Sequence, residues 1–303
     1  MIKPVETTKL SKSFNLVDAV KAVDLKVEPG TVYGLLGRNG AGKTTFLRML
    51  LGIIKPSSGN AAIFGENFAS AGEQLRQRVA YIGQEYRFYN GYSLELFINM
   101  IAPLYPKWNW EKSNRLLKDF ELDLKKRLGE MSGGQRQKVA MLVAFSCGAE
   151  LLVLDEPASA LDPLSRRMAL GEMMNFISEN PEVNTVIFST HIVNDLERVA
   201  THVGMMNAGE ITHEFELDSI HDNMRKVQLI CHNSECDDFE FKKAISLSME
   251  KNLISAVYDF SCVESKAEMK ALSDLGLEVR SFPLNLEEFF VQVYGQNTLT
   301  TVE

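Results

Sequence analysis

Two apolar patterns alternate along the first two thirds of this 303-residue chain. Val32-Tyr33-Gly34-Leu35-Leu36, Leu151-Leu152-Val153-Leu154 and Thr185-Val186-Ile187-Phe188-Ser189 are short unbroken runs, the pattern of strands buried on both faces of a parallel sheet. Residues 23–27 alternate cleanly, and residues from 5 onward more loosely, predicting exposed-face strands that end at the turn Glu28-Pro29-Gly30. Further strands are predicted at 61–64 and 79–82. Between 93 and about 130 the spacing changes to three and four, through Leu94, Phe97, Ile98, Ile101 and Leu104, then Leu116, Leu117 and Phe120. Trp108 and Trp110 fall in a proline-bounded link, so residues 86–148 read as a helical insertion in an α/β chain. A helix through Val139, Leu142, Val143 and Ser146 closes it, and another is predicted at 164–178. A hairpin turning at Ala208-Gly209 ends the first domain. From Val227 the pattern restarts, with strands at 227–231, 256–260 and 277–282, helical patterns after each, and a final apolar helix at 286–291. The expected organisation is an α/β domain over 1–212 and a small α+β domain over 213–303.

Charge sharpens that division. Residues 210–303 carry 18 acidic and 8 basic side chains, a net of −10, against +2 for the residues before them. An acidic segment disfavours wrapping nucleic acid or lying on an anionic lipid surface, so no nucleic-acid partner is expected. The N-terminal MIKPVETTKL has no apolar core and does not read as a signal peptide. The most apolar stretch, 139–154, is broken by Glu150 and too short to span a bilayer, so a membrane role has to come from another chain. Cys147, Cys231, Cys236 and Cys262 have no zinc spacing and are expected as free thiols.

The chemistry gathers at the ends of the apolar runs. Gly37-Arg38-Asn39-Gly40-Ala41-Gly42-Lys43-Thr44-Thr45 follows one strand and precedes an amphipathic helix, the order a phosphate-binding loop requires. Gly37, Gly40 and Gly42 carry no Cβ, which lets their N–H groups crowd phosphate oxygens, and the helix aims its positive end at the same point. Lys43 is expected on the β- and γ-phosphates and the Thr44 hydroxyl on Mg²⁺. Asp155 and Glu156 end the strand 151–154, where an α/β sheet places ligands; Asp155 suits Mg²⁺, and Glu156 suits polarising a water. His191 closes the next buried strand. Ser132-Gly133-Gly134-Gln135 opens a helix and makes a second, weaker anion site. Phe14, some twenty residues ahead of the loop, has two readings: a stack for a nucleotide base, or a core aromatic.

Taken together these stretches resemble the ATP-binding cassette (ABC) ATPases over about residues 3–212. GRNGAGKT at 37–44 is similar to the family's Walker A, Gln84 to its Q-loop glutamine, and MSGGQ at 131–135 to its signature. LLVLDEP at 151–157 is similar to Walker B, 159–162 to the D-loop with Asp162, and His191 to the switch histidine. Phe14 falls where the family places its adenine-stacking aromatic. The departures are Met131 for leucine, Ala158 and Ala160 for threonine and glycine, and Arg38 for proline; none removes a group the chemistry needs. The resemblance implies a RecA-like parallel core, an antiparallel β subdomain and the helical insertion. It implies ATP and Mg²⁺ as cofactors, with Thr44, Gln84 and Asp155 at the metal. It also implies a head-to-tail pair of cassettes, each nucleotide lying between the Walker A of one and Ser132–Gln135 of the other. The implied partner is a separate permease contacted through the insertion, which places the chain peripherally at the cytoplasmic face of the membrane.

Residues 105–110, the helix after them and 286–294 resemble exporter ATPases of antibiotic, peptide or drug efflux. A second class, soluble ABC ATPases of translation or DNA repair, carries two cassettes in one chain or a very long coiled coil. This sequence has one Walker A, one signature and no heptad run. A sensor that binds ATP without hydrolysing it would be expected to lack Glu156, Lys43 or His191.

Overall fold

In the computed structural model, which describes residues 2–84, 88–230, 241–250, 253–274 and 278–294, the chain forms two compact units that divide between Glu214 and Phe215. The first unit opens with a long hairpin, β1 (Val5–Phe14) and β2 (Val17–Val27), followed by β3 (Val32–Leu36) and α1 (Lys43–Leu50). β4 (Ser58–Ile63), the one-turn α2 (Glu73–Arg76) and β5 (Val79–Ile82) lead into the insertion, which holds α3 (Leu94–Ile101), α4 (Trp110–Asp119) and α5 (Gly133–Ser146). β6 (Leu151–Asp155), α6 (Pro163–Glu179), β7 (Thr185–Thr190), α7 (Val193–Val199), β8 (His202–Asn207) and β9 (Glu210–Glu216) complete it.

Six strands form the central sheet in the order β5-β6-β7-β3-β8-β9, while β2-β1-β4 make a separate antiparallel sheet. Every residue of β3, β6 and β7 is buried, which explains their continuous apolar runs: a parallel strand covered on both faces has no solvent side to mark with polar residues. Parallel register then brings their ends level. Leu36 pairs with Thr190 and Asp155 with Ser189, so the turns after β3, β6 and β7 leave the sheet at one height. One core cluster runs under both sheets, from Val5 and Leu25 through Phe46 and Leu50 to Val153 and Ile187.

Trp110 is the first residue of α4, not part of a link: Asn109 caps that helix by accepting the Lys112 N–H, which moves the boundary one residue toward the chain start. The helical reading of 93–130 also holds too much. After α4 the chain runs as turns and one 3₁₀ turn to Ser132, where a capping box starts α5. Neither α2 nor α7 was expected; at 4 and 7 residues they are too short to show a period.

The second unit is a four-stranded antiparallel sheet in the order β11-β12-β10-β13, made by β10 (Met224–Ile230), β11 (Ser246–Glu250), β12 (Leu253–Asp259) and β13 (Glu278–Pro283). α8 (Leu217–Asn223), α9 (Val263–Asp274) and α10 (Leu286–Tyr294) complete it. Sequence spacing predicted three strands and a helical stretch after the first. Residues 246–250 are instead a fourth strand, and Cys231, Cys236 and Leu277 lie outside the described residues. Its core, Val227, Leu229, Ile254, Ala256, Tyr258, Met269 and Leu272, is its own.

Candidate active site

The turn after β3 is shaped by close packing. Gly42 has φ +108, a region costly for any residue with a Cβ, and a Cβ there would lie 2.3 Å from the Ala19 carbonyl oxygen of β2. A Cβ on Gly37 would meet the Met206 carbonyl oxygen at 2.4 Å. The Gly37 N–H donates to the Thr190 carbonyl at 3.3 Å, so this glycine is required by strand packing and does not offer its N–H to phosphate as expected. Most of the loop does gather with Gln84: Asn39, Gly40, Ala41, Gly42, Lys43, Thr44, Thr45 and Gln84 line one cleft of about 350 Å³. The first turn of α1 has no intrahelical acceptors for its N–H groups, and these face an anion site by construction. Arg38 is exposed beside them and contributes its carbonyl, which accepts from the Ala41 N–H and the Lys43 ammonium.

Lys43, 6% exposed, donates to the Gly37 carbonyl at 2.7 Å, and its Nζ lies 3.4 Å from Glu156 Oε1. Glu156 Oε2 sits 2.9 Å from His191 Nδ1. The carboxylate of Glu156, itself 5% exposed, therefore stands between a lysine ammonium and an imidazole that is 42% exposed. Next to it Asp155, fully buried, accepts from the Ser189 hydroxyl at 2.7 Å and from Thr44 Oγ1 at 3.1 Å, both through Oδ1. Asp155 Oδ2 and Glu156 Oε1 have no hydrogen-bond partner although both are buried. A buried carboxylate oxygen without a donor is costly, and a hard cation held between Asp155 and Thr44 would relieve it. The donor set fits Mg²⁺.

In sequence Ser189 only ends the apolar run 185–189; in the structure it does more. Its hydroxyl donates to Asp155 while its Oγ accepts the Glu156 N–H at 2.9 Å, so one side chain holds the Asp155 carboxylate and the Glu156 backbone. The visible signal was a serine closing a run of apolar residues that are all buried.

The other expected residues lie elsewhere in the unit. Ser132 and Gly133 are exposed at the start of α5, with Ser132 Oγ accepting the Gln135 N–H and Gln135 Oε1 accepting the Ser132 N–H. Nothing stands within 4 Å of a Cβ on Gly133, whereas a Cβ on Gly134 would be 2.8 Å from the Ala160 carbonyl oxygen. Asp162 caps α6, accepting the Leu164 and Ser165 N–H groups, and hydrogen bonds from Ser165 hold its carboxyl below the usual aspartate range. Phe14 is 45% exposed at the β1–β2 tip, not in the core, with the Lys12 ammonium 4.9 Å from its ring centre.

Comparison with known proteins identifies the family. The family described as ABC transporter matches residues 20–159. A bacitracin transport ATP-binding protein, BcrA of Bacillus licheniformis, is 31% identical over 97% of this chain and 98% of its own length. The daunorubicin/doxorubicin resistance ATP-binding protein DrrA of Streptomyces peucetius is 30% identical over 97% of this chain and 93% of its own. Among solved structures, the ATP-binding subunit of an ABC transporter superposes with a TM-score of 0.64 at 28% identity, covering 72% of this chain and 92% of that one. With relatives matched over nearly their whole length, this chain belongs to the ABC transporter family, as an ATP-binding subunit that hydrolyses ATP.

Proposed function

We propose that this chain is the motor subunit of an efflux transporter for an antibiotic, peptide or drug, driving a separate permease by ATP-dependent pairing of two cassettes. The observation that carries the motor reading is the convergence of Lys43, Thr44, Asp155, Glu156 and His191 at one level of the sheet, with Ser132–Gln135 outside that cleft. A chain with a complete phosphate loop and a separate exposed anion-ready helix start has two half-sites, and a second copy supplies the missing half of each. The efflux reading rests on likeness to the bacitracin and daunorubicin/doxorubicin proteins.

In this reading ATP lies along residues 39–45 with adenine on Phe14. Thr44 and Asp155, with Gln84 nearby, would hold Mg²⁺, and the chemistry it would supply there is neutralisation of charge on the phosphate oxygens. Glu156 accepts a proton from the attacking water through Oε1, which lies in ion-pair range of Lys43 and has no hydrogen-bond partner. His191 holds the other oxygen of that carboxylate through Nδ1 and leaves Nε2 to meet the γ-phosphate. Ser132, Gly133, Gly134 and Gln135 approach the partner's phosphates, and Asp162 lies in the loop that faces the partner.

No helix among the described residues is long and apolar enough to cross a membrane. The permease contact suits the groove between the sheet and the insertion, about 550 Å³, walled by Tyr81, Phe88, Phe97, Tyr105 and Val143. Leu96 and Met100, one turn apart on α3, are 46% and 47% exposed beside that element's buried face. In this reading the chain sits at the cytoplasmic face of the membrane, held there by its partner. Co-expression with the permease encoded beside it tests the reading: retention of a polytopic chain that stimulates ATP hydrolysis supports it. A fully active ATPase that never retains a membrane chain would leave the soluble ABC class.

A further inference from the structure

Gln137 is 2% exposed, one turn into α5, and both ends of its amide are used on the loop that follows β6. Its Nε2 donates to the Glu156 carbonyl at 3.1 Å, and its Oε1 accepts the Ala160 N–H at 3.1 Å. The peptide it grips is unusual. Glu156 has φ +52, a left-handed conformation that a non-glycine residue holds only when its surroundings impose it. Pro157 follows, so the Glu156–Pro157 peptide has no N–H and can be oriented only through its carbonyl oxygen. That oxygen accepts from Gln137 Nε2 and from the Ser159 hydroxyl and N–H, at 3.1, 3.0 and 3.2 Å. Both Ser159 donors lie in the same turn as the peptide and travel with it. Gln137 is the donor to that oxygen that comes from another element, on the side of the peptide away from the Glu156 N–H, which Ser189 of β7 holds.

We infer that Gln137 is a positioning residue for ATP hydrolysis: it holds the Glu156–Pro157 peptide and the loop at 159–162 against α5, so the carboxylate of Glu156 is aimed correctly only while the helix that begins at Ser132 is seated. Close packing reinforces the joint, since a Cβ on Gly134 would be 2.8 Å from the Ala160 carbonyl oxygen. The consequence is a link within one chain between the half-site at the start of α5 and the base at its own phosphate loop. A nucleotide pulling on Ser132–Gln135 thereby acts on Glu156 through a single buried amide. The inference rests on the reading of Glu156 as the base.

Gln137→Met keeps the buried volume and removes both hydrogen bonds. Misplacing a reacting group by about 1 Å can cost about 10²-fold in rate, so kcat should fall by roughly 10- to 100-fold with KM for ATP and the unfolding midpoint little changed. The distinguishing measurement is the double variant with Glu156→Gln. If Gln137 acts through Glu156, adding Gln137→Met to Glu156→Gln leaves turnover where Glu156→Gln alone puts it. Wild-type kcat in folded Gln137→Met overturns the inference, and so does a loss that multiplies with that of Glu156→Gln. Should the methionine variant fail to fold, Gln137→Asn, which keeps a buried amide one methylene too short for both contacts, is read by the same criteria. Failure of the underlying reading looks different: Glu156→Gln alone would then hydrolyse ATP at a near-normal rate.

Discussion

His191 Nδ1 lies 2.9 Å from Glu156 Oε2, while Lys43 Nζ lies 3.4 Å from the other oxygen of the same carboxylate. One buried acid thus joins the turns after β3, β6 and β7. The Lys43 contact is within ion-pair distance but outside hydrogen-bond geometry, since Oε1 has no hydrogen-bond partner. Oε2 is held by His191, and Oε1 is the oxygen to which the proposed reading assigns the proton. Replacing Glu156 by glutamine keeps the shape and removes the base, so hydrolysis should slow by about 10²–10⁴-fold with ATP binding retained. Steady-state turnover beside equilibrium nucleotide binding checks this, and near-normal turnover would remove Glu156 from the role.

Phe14 provides the second prediction. Its 45% exposure at the hairpin tip means that truncation costs little folding free energy. Base–aromatic stacking is worth about 1–3 kcal/mol, so Phe14→Ala should weaken ATP binding by roughly 5- to 150-fold with an unchanged unfolding midpoint. Phe14→Tyr and Phe14→Trp should bind nearly as the parent does. Unchanged affinity in the alanine variant would leave Phe14 with no part in binding.

The joint between α4 and α6 makes a prediction about acid. Burial pushes the Glu172 carboxyl up, but two 2.7 Å hydrogen bonds from Arg115, with a third from Asn175, more than reverse this and hold it below the usual glutamate range. A depressed carboxyl stabilises the fold above its ordinary value near 4.5, and that contribution is lost as pH falls through the lower folded value. Unfolding midpoints measured between about pH 7 and pH 3 should therefore fall less steeply for Glu172→Gln than for the parent. At pH 7, Arg115→Ala leaves that carboxylate largely buried with only the Asn175 hydrogen bond. Because Arg115 is 43% exposed, the expected loss is near the low end for a charged hydrogen bond, about 1 kcal/mol. Parallel pH profiles for parent and Glu172→Gln would contradict the assignment.

What could be read from the chain follows the range of the interactions. Val32–Leu36 and Leu151–Leu154 announce a buried parallel sheet because their surroundings are uniform along each strand. The phosphate loop is legible because its requirements are local: glycines where the backbone turns, a lysine and a threonine at fixed offsets. The Glu156–His191 contact spans 35 residues, the two ends of Gln137's amide reach 19 and 23 residues along the chain, and Arg115 reaches Glu172 across 57. Contacts of that range depend on how helices settle on the sheet, which no local pattern records. Gly37 shows the same limit. Its place in the motif suggested an N–H for phosphate, yet the Met206 carbonyl and the Thr190 acceptor, both distant in sequence, decide what it does.

The last prediction concerns assembly, and it follows from the geometry of Ser132. Its side chain is exposed, its Oγ caps α5, and the neighbouring Gly133 opens onto free space. That is a poor environment for a residue of the chain's own nucleotide cleft and a good one for a surface that meets another copy. Ser132→Arg would set bulk and charge at that helix start. It also removes the cap, at a cost of about 1 kcal/mol, so the unfolding midpoint has to be measured alongside. The phosphate loop is built from other residues, and monomeric ATP binding should survive. ATP-dependent dimerisation should not. In the Glu156→Gln background, where bound ATP is not discharged, saturating Mg-ATP should convert the parent chain to dimer by sedimentation or light scattering, and Ser132→Arg should remain monomeric under the same conditions. A Glu156→Gln protein that binds ATP and stays monomeric would refute pairing of this chain with itself. Mixing it with a cassette of a different sequence would then show whether the missing half-site is supplied by another subunit.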